Sequence, residues 1–189
     1  MSKFDELDRI AFYNAKNLIN IDKRFPGNVF REKLYRYFFF DPYFLSRPEF
    51  IEFINKIMLL ERSNRCCLVN LDAENHDIKS AILFKCGMGF IEFIDLLKDH
   101  KNAGVSWLYT LDRHTCATDK GEWGIYCERQ NDIGVIAIHN SIDSGKFAEP
   151  LLILRAISVN RPHASHDGTF SFDGLTPEWR KSLMEEYKV

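Results

Sequence analysis

Gly121–His139, GEWGIYCERQNDIGVIAIH, is the stretch whose reading decides the fold. Two apolar runs flank a short polar break at Arg129-Gln130-Asn131-Asp132, the pattern of two antiparallel strands joined by a turn. The spacing predicts a β-hairpin and therefore a sheet. No catalytic pattern lies inside it, so this stretch fixes architecture and leaves function to the rest of the chain.

Upstream of the hairpin, Cys66-Cys67-Leu68-Val69-Asn70-Leu71 is short, apolar and β-favouring, and reads as the first strand. Residues Asn75 to Lys85 fit a helix or a strand equally. Phe90, Ile91, Phe93, Ile94 and Leu97 have helical spacing, closed by Asn102 to Gly104. The strand-like run Val105 to Leu111 then joins the hairpin in a three-stranded antiparallel meander. Between them, Asp112 to Gly121 carries the polar flanks of an exposed loop.

Before Ser63 the periodicity is helical. Ser2 and Asp5 can cap a helix carrying Phe4, Leu7, Ile10, Ala11, Leu18 and Ile19, which ends before Pro26-Gly27. A second helix is expected from Asn28 to Asp41-Pro42, because the residue before proline is pushed out of the α region. Tyr35, Tyr37, Phe38, Phe39, Phe40, Tyr43 and Phe44 surround its end, giving either a central helix or an aromatic patch that a partner or second subunit covers. Ser46-Arg47-Pro48-Glu49 supplies a cap, an early proline and a capping-box acid for a third helix. Downstream of the hairpin, Pro150 to Leu154 is an apolar run of either type, and Gly168 to Phe172 alternates like an edge strand. Thr176-Pro177-Glu178 opens a C-terminal helix burying Trp179, Leu183, Met184 and Tyr187.

These readings assemble into an α+β fold. A helical N-terminal third, about 1–62, packs on a mainly antiparallel sheet within about 63–189, and a C-terminal helix completes a single domain spanning 1–189. No repeat or Gly/Ser linker argues for a second domain. The 189 residues are 46% hydrophobic and 14% aromatic, enough for a substantial core. A formal net charge of −2 excludes a globally basic nucleic-acid binder, so no direct nucleic-acid contact is expected. Five cysteines without regular spacing point to reduced thiols in the cytoplasm. MSKFDELDRI is charged where a signal peptide is apolar, and no run approaches the roughly 18 apolar residues of a membrane span, so no membrane association is expected.

Candidate chemistry is sparse. His163 and His166, with Asp167 beside them, offer metal-ligand types, but Pro162 and Asp167-Gly168 mark a polar loop. His114-Thr115-Cys116 offers a thiol beside a base, though its flanks read as a loop. A small cytosolic hydrolase using Cys116 or Cys127 with His114 or His139, or a metal held by His163 and His166, is the enzymatic alternative. Asp143-Ser144-Gly145-Lys146 lacks the first glycine of a phosphate loop and reads as a turn. No metal site and no cofactor are expected.

Glu122-Trp123-Gly124-Ile125-Tyr126-Cys127-Glu128-Arg129, set in a small, mildly acidic α+β chain, resembles the immunity proteins of bacterial toxin–immunity systems, including those of contact-dependent inhibition. The resemblance implies a protein that binds one cognate toxin domain and occludes its active site, with no catalytic residue of its own. Many such toxins are basic nucleases; for one of those, Asp72, Glu74, Asp77, Asp95 and Asp99 are the expected contacts. A homodimer through the aromatic cluster is a further expectation.

Overall fold

The computed structural model describes residues 4–32, 35–73, 77–98, 112–160 and 170–188. Strands β1 (Tyr35–Phe40), β2 (Arg65–Asn70), β3 (Ile82–Lys85), β4 (Arg113–Thr118), β5 (Trp123–Glu128), β6 (Ile133–His139) and β7 (Ile157–Ser158) form one seven-stranded sheet in the order β3-β2-β4-β5-β6-β1-β7. Every pairing among the described residues is antiparallel. The described helices are α1 (Glu6–Asn17), α2 (Pro48–Glu61), α3 (Phe90–Lys98), α4 (Ala148–Ile153) and α5 (Pro177–Glu186). The fold is α+β, and no helix among the described residues is long and apolar enough to cross a membrane.

Strand alternation sends side chains to two cores. Tyr35, Tyr37, Phe39, Cys67, Val69, Ala117, Tyr126, Val135 and Ala137 face α1, the segment 18–30 and α5. Phe40, Cys66, Leu68, Cys116, Trp123, Ile125, Cys127, Ile136 and Ile138 face α2, α3 and α4. The sheet is thus sandwiched between two helical layers, which is why its central strands are apolar on both faces.

The expected hairpin is present, with Gly124 opposite Ala137 and a left-handed Asp132 at φ 53° closing the turn. The expected strand at 66–71 is β2, and the helix expected around Phe90 to Leu97 is α3. α1 starts at a reciprocal capping box between Asp5 and Asp8. Thr176 caps α5 by accepting from the Trp179 amide. The uncertain run 150–154 lies largely in α4, and the turn at Asp143 is capped by its own carboxylate on the Gly145 amide.

Four expectations are corrected. The segment read as a helix from Asn28 to Asp41 holds β1, inserted between β6 and β7, because Tyr35, Tyr37 and Phe39 need the α1–α5 core while Phe40 fills the other. Its aromatics are mostly strand residues buried in the sheet. Arg113–Thr118, read as an exposed loop, is a central strand whose polar groups are satisfied by helices: Thr115 donates to the Ala15 carbonyl and Thr118 to Glu61. β4 is therefore the first strand of the meander, and Val105 to Leu111 lies outside the described residues. At α2 the proline sits at the start as expected, but the cap residue is Arg47, with no side-chain hydrogen bond. Phe172 opens a 3₁₀ turn, Phe172–Gly174, rather than ending an edge strand; Gly168 and Thr169 lie outside the described residues.

Close packing between β6 and β1 depends on Gly134. A Cβ there would lie 2.7 Å from Cε1 and 2.8 Å from Cζ of Phe40, and 3.1 Å from the Cys127 sulfur. Both neighbours are buried and cannot swing out. Gly134→Ala is expected to cost about 1–3 kcal/mol by overpacking, read as a lower midpoint in urea unfolding; an unchanged midpoint would show that the Phe40 ring shifts freely.

Candidate interaction surface

Three residues of the hydrolase reading, His114, Cys116 and Cys127, are inside the sandwich. His114 of β4 stands directly opposite Cys127 of β5, so the register does bring a thiol and an imidazole side by side. Both are sealed, at 0% and 1% exposure, and neither ring nitrogen of His114 has a hydrogen-bond partner. Burial pushes His114 down to about 3, with the nearby Arg129 guanidinium adding to the effect and Asp72 opposing it. Burial also pushes the Cys127 thiol well above its ordinary value, as it does Cys66 and Cys67. A thiolate–imidazolium pair needs the opposite shifts. Cys66 and Cys116 bring their sulfurs to 3.2 Å within the same core, and all five cysteines are free thiols. His139 lies at the far end of β6 from Cys127's partner Gly134, with Nδ1 2.6 Å from Ser141 Oγ. Among the described residues, no group of three or more His, Cys, Asp or Glu side chains is disposed to hold a metal ion. His163 and His166 lie outside the described residues.

The expected acidic contacts are dispersed. Asp72, just past β2, accepts from the Arg113 amide and guanidinium, both at 2.7 Å, and lies 4.0 Å from Arg24. Its charge is spent on joining β2 to β4. Asp77 caps a short 3₁₀ turn, Ile78–Ser80, and lines a cleft of about 400 Å³ beside Arg9, Lys16 and Lys79. Asp95 is exposed on α3, in the opposite helical layer. Glu74 and Asp99 lie outside the described residues.

The outer helical layer over the second core carries what the charge pattern did not suggest. α2 buries Phe50, Ile51, Phe53, Ile54, Ile57 and Met58, and this stripe leaves Leu59 68% and Leu60 46% exposed in its last turn. α4 packs on α2, and the Lys56–Glu149 ion pair joins the two helices. Leu152 of α4 is 71% exposed. The signal was readable: Leu59 and Leu60 continue an apolar helix beyond the positions its buried stripe can use.

Glu61 closes the same turn. Its Oε2 accepts from Thr118 Oγ1 at 2.7 Å and from Trp123 Nε1 at 2.8 Å, while its Oε1 is buried with no hydrogen-bond partner. Burial pushes this carboxyl up to about 7, with Glu122 and Asp119 adding to the effect and the two hydrogen bonds opposing it. Nothing in its sequence context marked Glu61, since its partners lie 57 and 62 residues away.

Protein-family models, curated proteins and solved structures were all compared with the chain, and none matches it.

Proposed function

We propose that this chain is a cytoplasmic immunity protein that binds a cognate bacterial toxin domain and neutralises it by covering its active site. The observation that carries the reading is the exposure of Leu59, Leu60 and Leu152 on two helices joined by an ion pair, while the thiols and imidazole of the candidate dyad are enclosed in the sheet. Occlusion requires a rigid scaffold and a desolvated apolar anchor, with surrounding charges to steer encounter and reject wrong partners. The scaffold is the doubly covered sheet, Leu59 and Leu60 at the end of α2 supply an apolar anchor, Leu152 is a further exposed leucine on α4, and Asp95 is an exposed acid on the same helical layer.

The test is to identify by sequencing whether a toxin domain is encoded beside this gene, to express it with and without the chain, and to measure growth and complex formation; a neighbourhood with no toxin domain counts against the proposal. Protection with a stable complex is the expected result; absence of protection overturns the proposal. Leu59→Asp combined with Leu152→Asp should leave thermal unfolding nearly unchanged and weaken toxin binding at least ~30-fold, the equivalent of about 2 kcal/mol for an interface anchor. Unchanged affinity would move the contact away from α2 and α4. Sedimentation of the wild type alone tests the competing occupant, a second copy covering the same leucines.

A further inference from the structure

We propose that Glu61 is a proton-operated latch: as a neutral acid it fastens the last turn of α2 to β4 and β5, and on ionising it lets that turn loosen. The geometry separates the two oxygens. Oε2 accepts both available donors, from Thr118 and Trp123, which are themselves fully buried. Oε1 is buried and unbonded, so it is the atom that carries the proton. Ionised, Oε1 would be a buried charge with no donor beside it among the described residues.

Among the described residues no counter-charge stands ready. The titratable groups facing Glu61 are Asp119 and Glu122 from the β4–β5 turn and Cys66 from β2, and none of these can supply a positive charge. The Arg65 guanidinium is engaged by Asp5 at 2.7 Å and Asp8 at 2.9 Å. Arg62, on α2's own exit, is exposed. Glu61 is also the last residue of α2, where the helix dipole disfavours negative charge. Ionisation therefore acts on a turn held by a second fastening, the Asp119 carboxylate that accepts the Asn64 and Arg65 amides, so the expected response is local loosening between the two.

Leu59 and Leu60 ride on this turn, so if the immunity reading holds, partner binding is tighter at pH 6 than at pH 8. The latch itself needs no partner and is tested without one. In ¹⁵N NMR of the wild type, the Trp123 indole N–H, assigned with Trp123→Phe, should titrate with a midpoint near neutral pH. Amide protection at Arg62 and Ser63, corrected for intrinsic exchange, should fall at least tenfold between pH 5.5 and 8.5. Glu61→Gln should abolish both responses. Should that variant fail to fold, Thr118→Val serves instead: removing one donor to the carboxylate should move the midpoint further up. A midpoint in the ordinary carboxylate range, a titration persisting in Glu61→Gln, or an unmoved midpoint in Thr118→Val overturns the latch. Failure of toxin protection with the titration intact overturns only the function proposed above.

Discussion

Tyr187→Ala is expected to cost about 3–5 kcal/mol of stability, the range for truncating a large buried aromatic. Tyr187 follows α5 and is 1% exposed. Its ring meets Tyr37 at 5.0 Å, Phe39 at 5.4 Å and Phe25 at 5.9 Å between centroids, so one side chain ties the C-terminal helix to β1 and to the segment 18–30. Its hydroxyl accepts from the Val29 amide at 3.1 Å and donates to the Gly27 carbonyl at 2.9 Å. Tyr187→Phe keeps the ring and strands the buried Val29 N–H, at an expected cost of about 1–3 kcal/mol. Urea unfolding of both variants checks the order; a phenylalanine as stable as tyrosine would mean that the hydroxyl's bonds contribute nothing net.

The second large effect is a pH profile shaped by two groups of opposite sign, the buried His114 and the half-buried Glu61. His114 is near 3 in the folded chain against 6.5 unfolded, so below pH 6.5 the unfolded chain binds the extra proton. Its contribution is complete above pH 6.5 and is lost on acidification toward pH 3, by up to about 5 kcal/mol. Glu61 is near 7 folded against 4.5 unfolded, so between these values the folded chain binds the extra proton. Its contribution is complete below pH 4.5 and is lost as pH rises through 7, by about 2–3 kcal/mol. Between pH 4.5 and 6.5 the two slopes cancel. Stability measured across pH 3–8 should therefore have a central plateau in the wild type. His114→Leu should replace the plateau with a fall toward neutral pH, and Glu61→Gln with a rise. His114→Leu should also be neutral or stabilising at pH 7, because it removes two unpartnered nitrogens from the core. If His114→Leu leaves the plateau in place, His114 is not what maintains the acid side.

The hairpin, β2, α1, α3 and α5 were legible because each is specified locally, by an alternating run, a helical stripe or a cap within a few residues. β1 was not. Tyr35–Phe40 borders residues that match a helix just as well, and only its pairing with β6 across nearly a hundred residues, as in Phe40 with Gly134, decides the matter. β4 was hidden for a different reason. His114, Thr115 and Thr118 look like loop residues until α1 and α2 are placed over them and satisfy the threonines. The surface followed the same division: acidic residues can be counted from sequence, but whether a carboxylate such as Asp72 is already committed to Arg113 cannot.

The position of β1 between β6 and β7 bears on how the molecule assembles. β4, β5 and β6 are neighbours in sequence and can zip together early, whereas β1 must wait for a partner edge made far downstream. Until it arrives, Ile133–His139 presents an unprotected, almost wholly apolar strand edge, the kind of template on which other chains pair. Yield on refolding should accordingly fall steeply with protein concentration, and conditions that speed β1 docking should matter more to recovery than those that raise final stability.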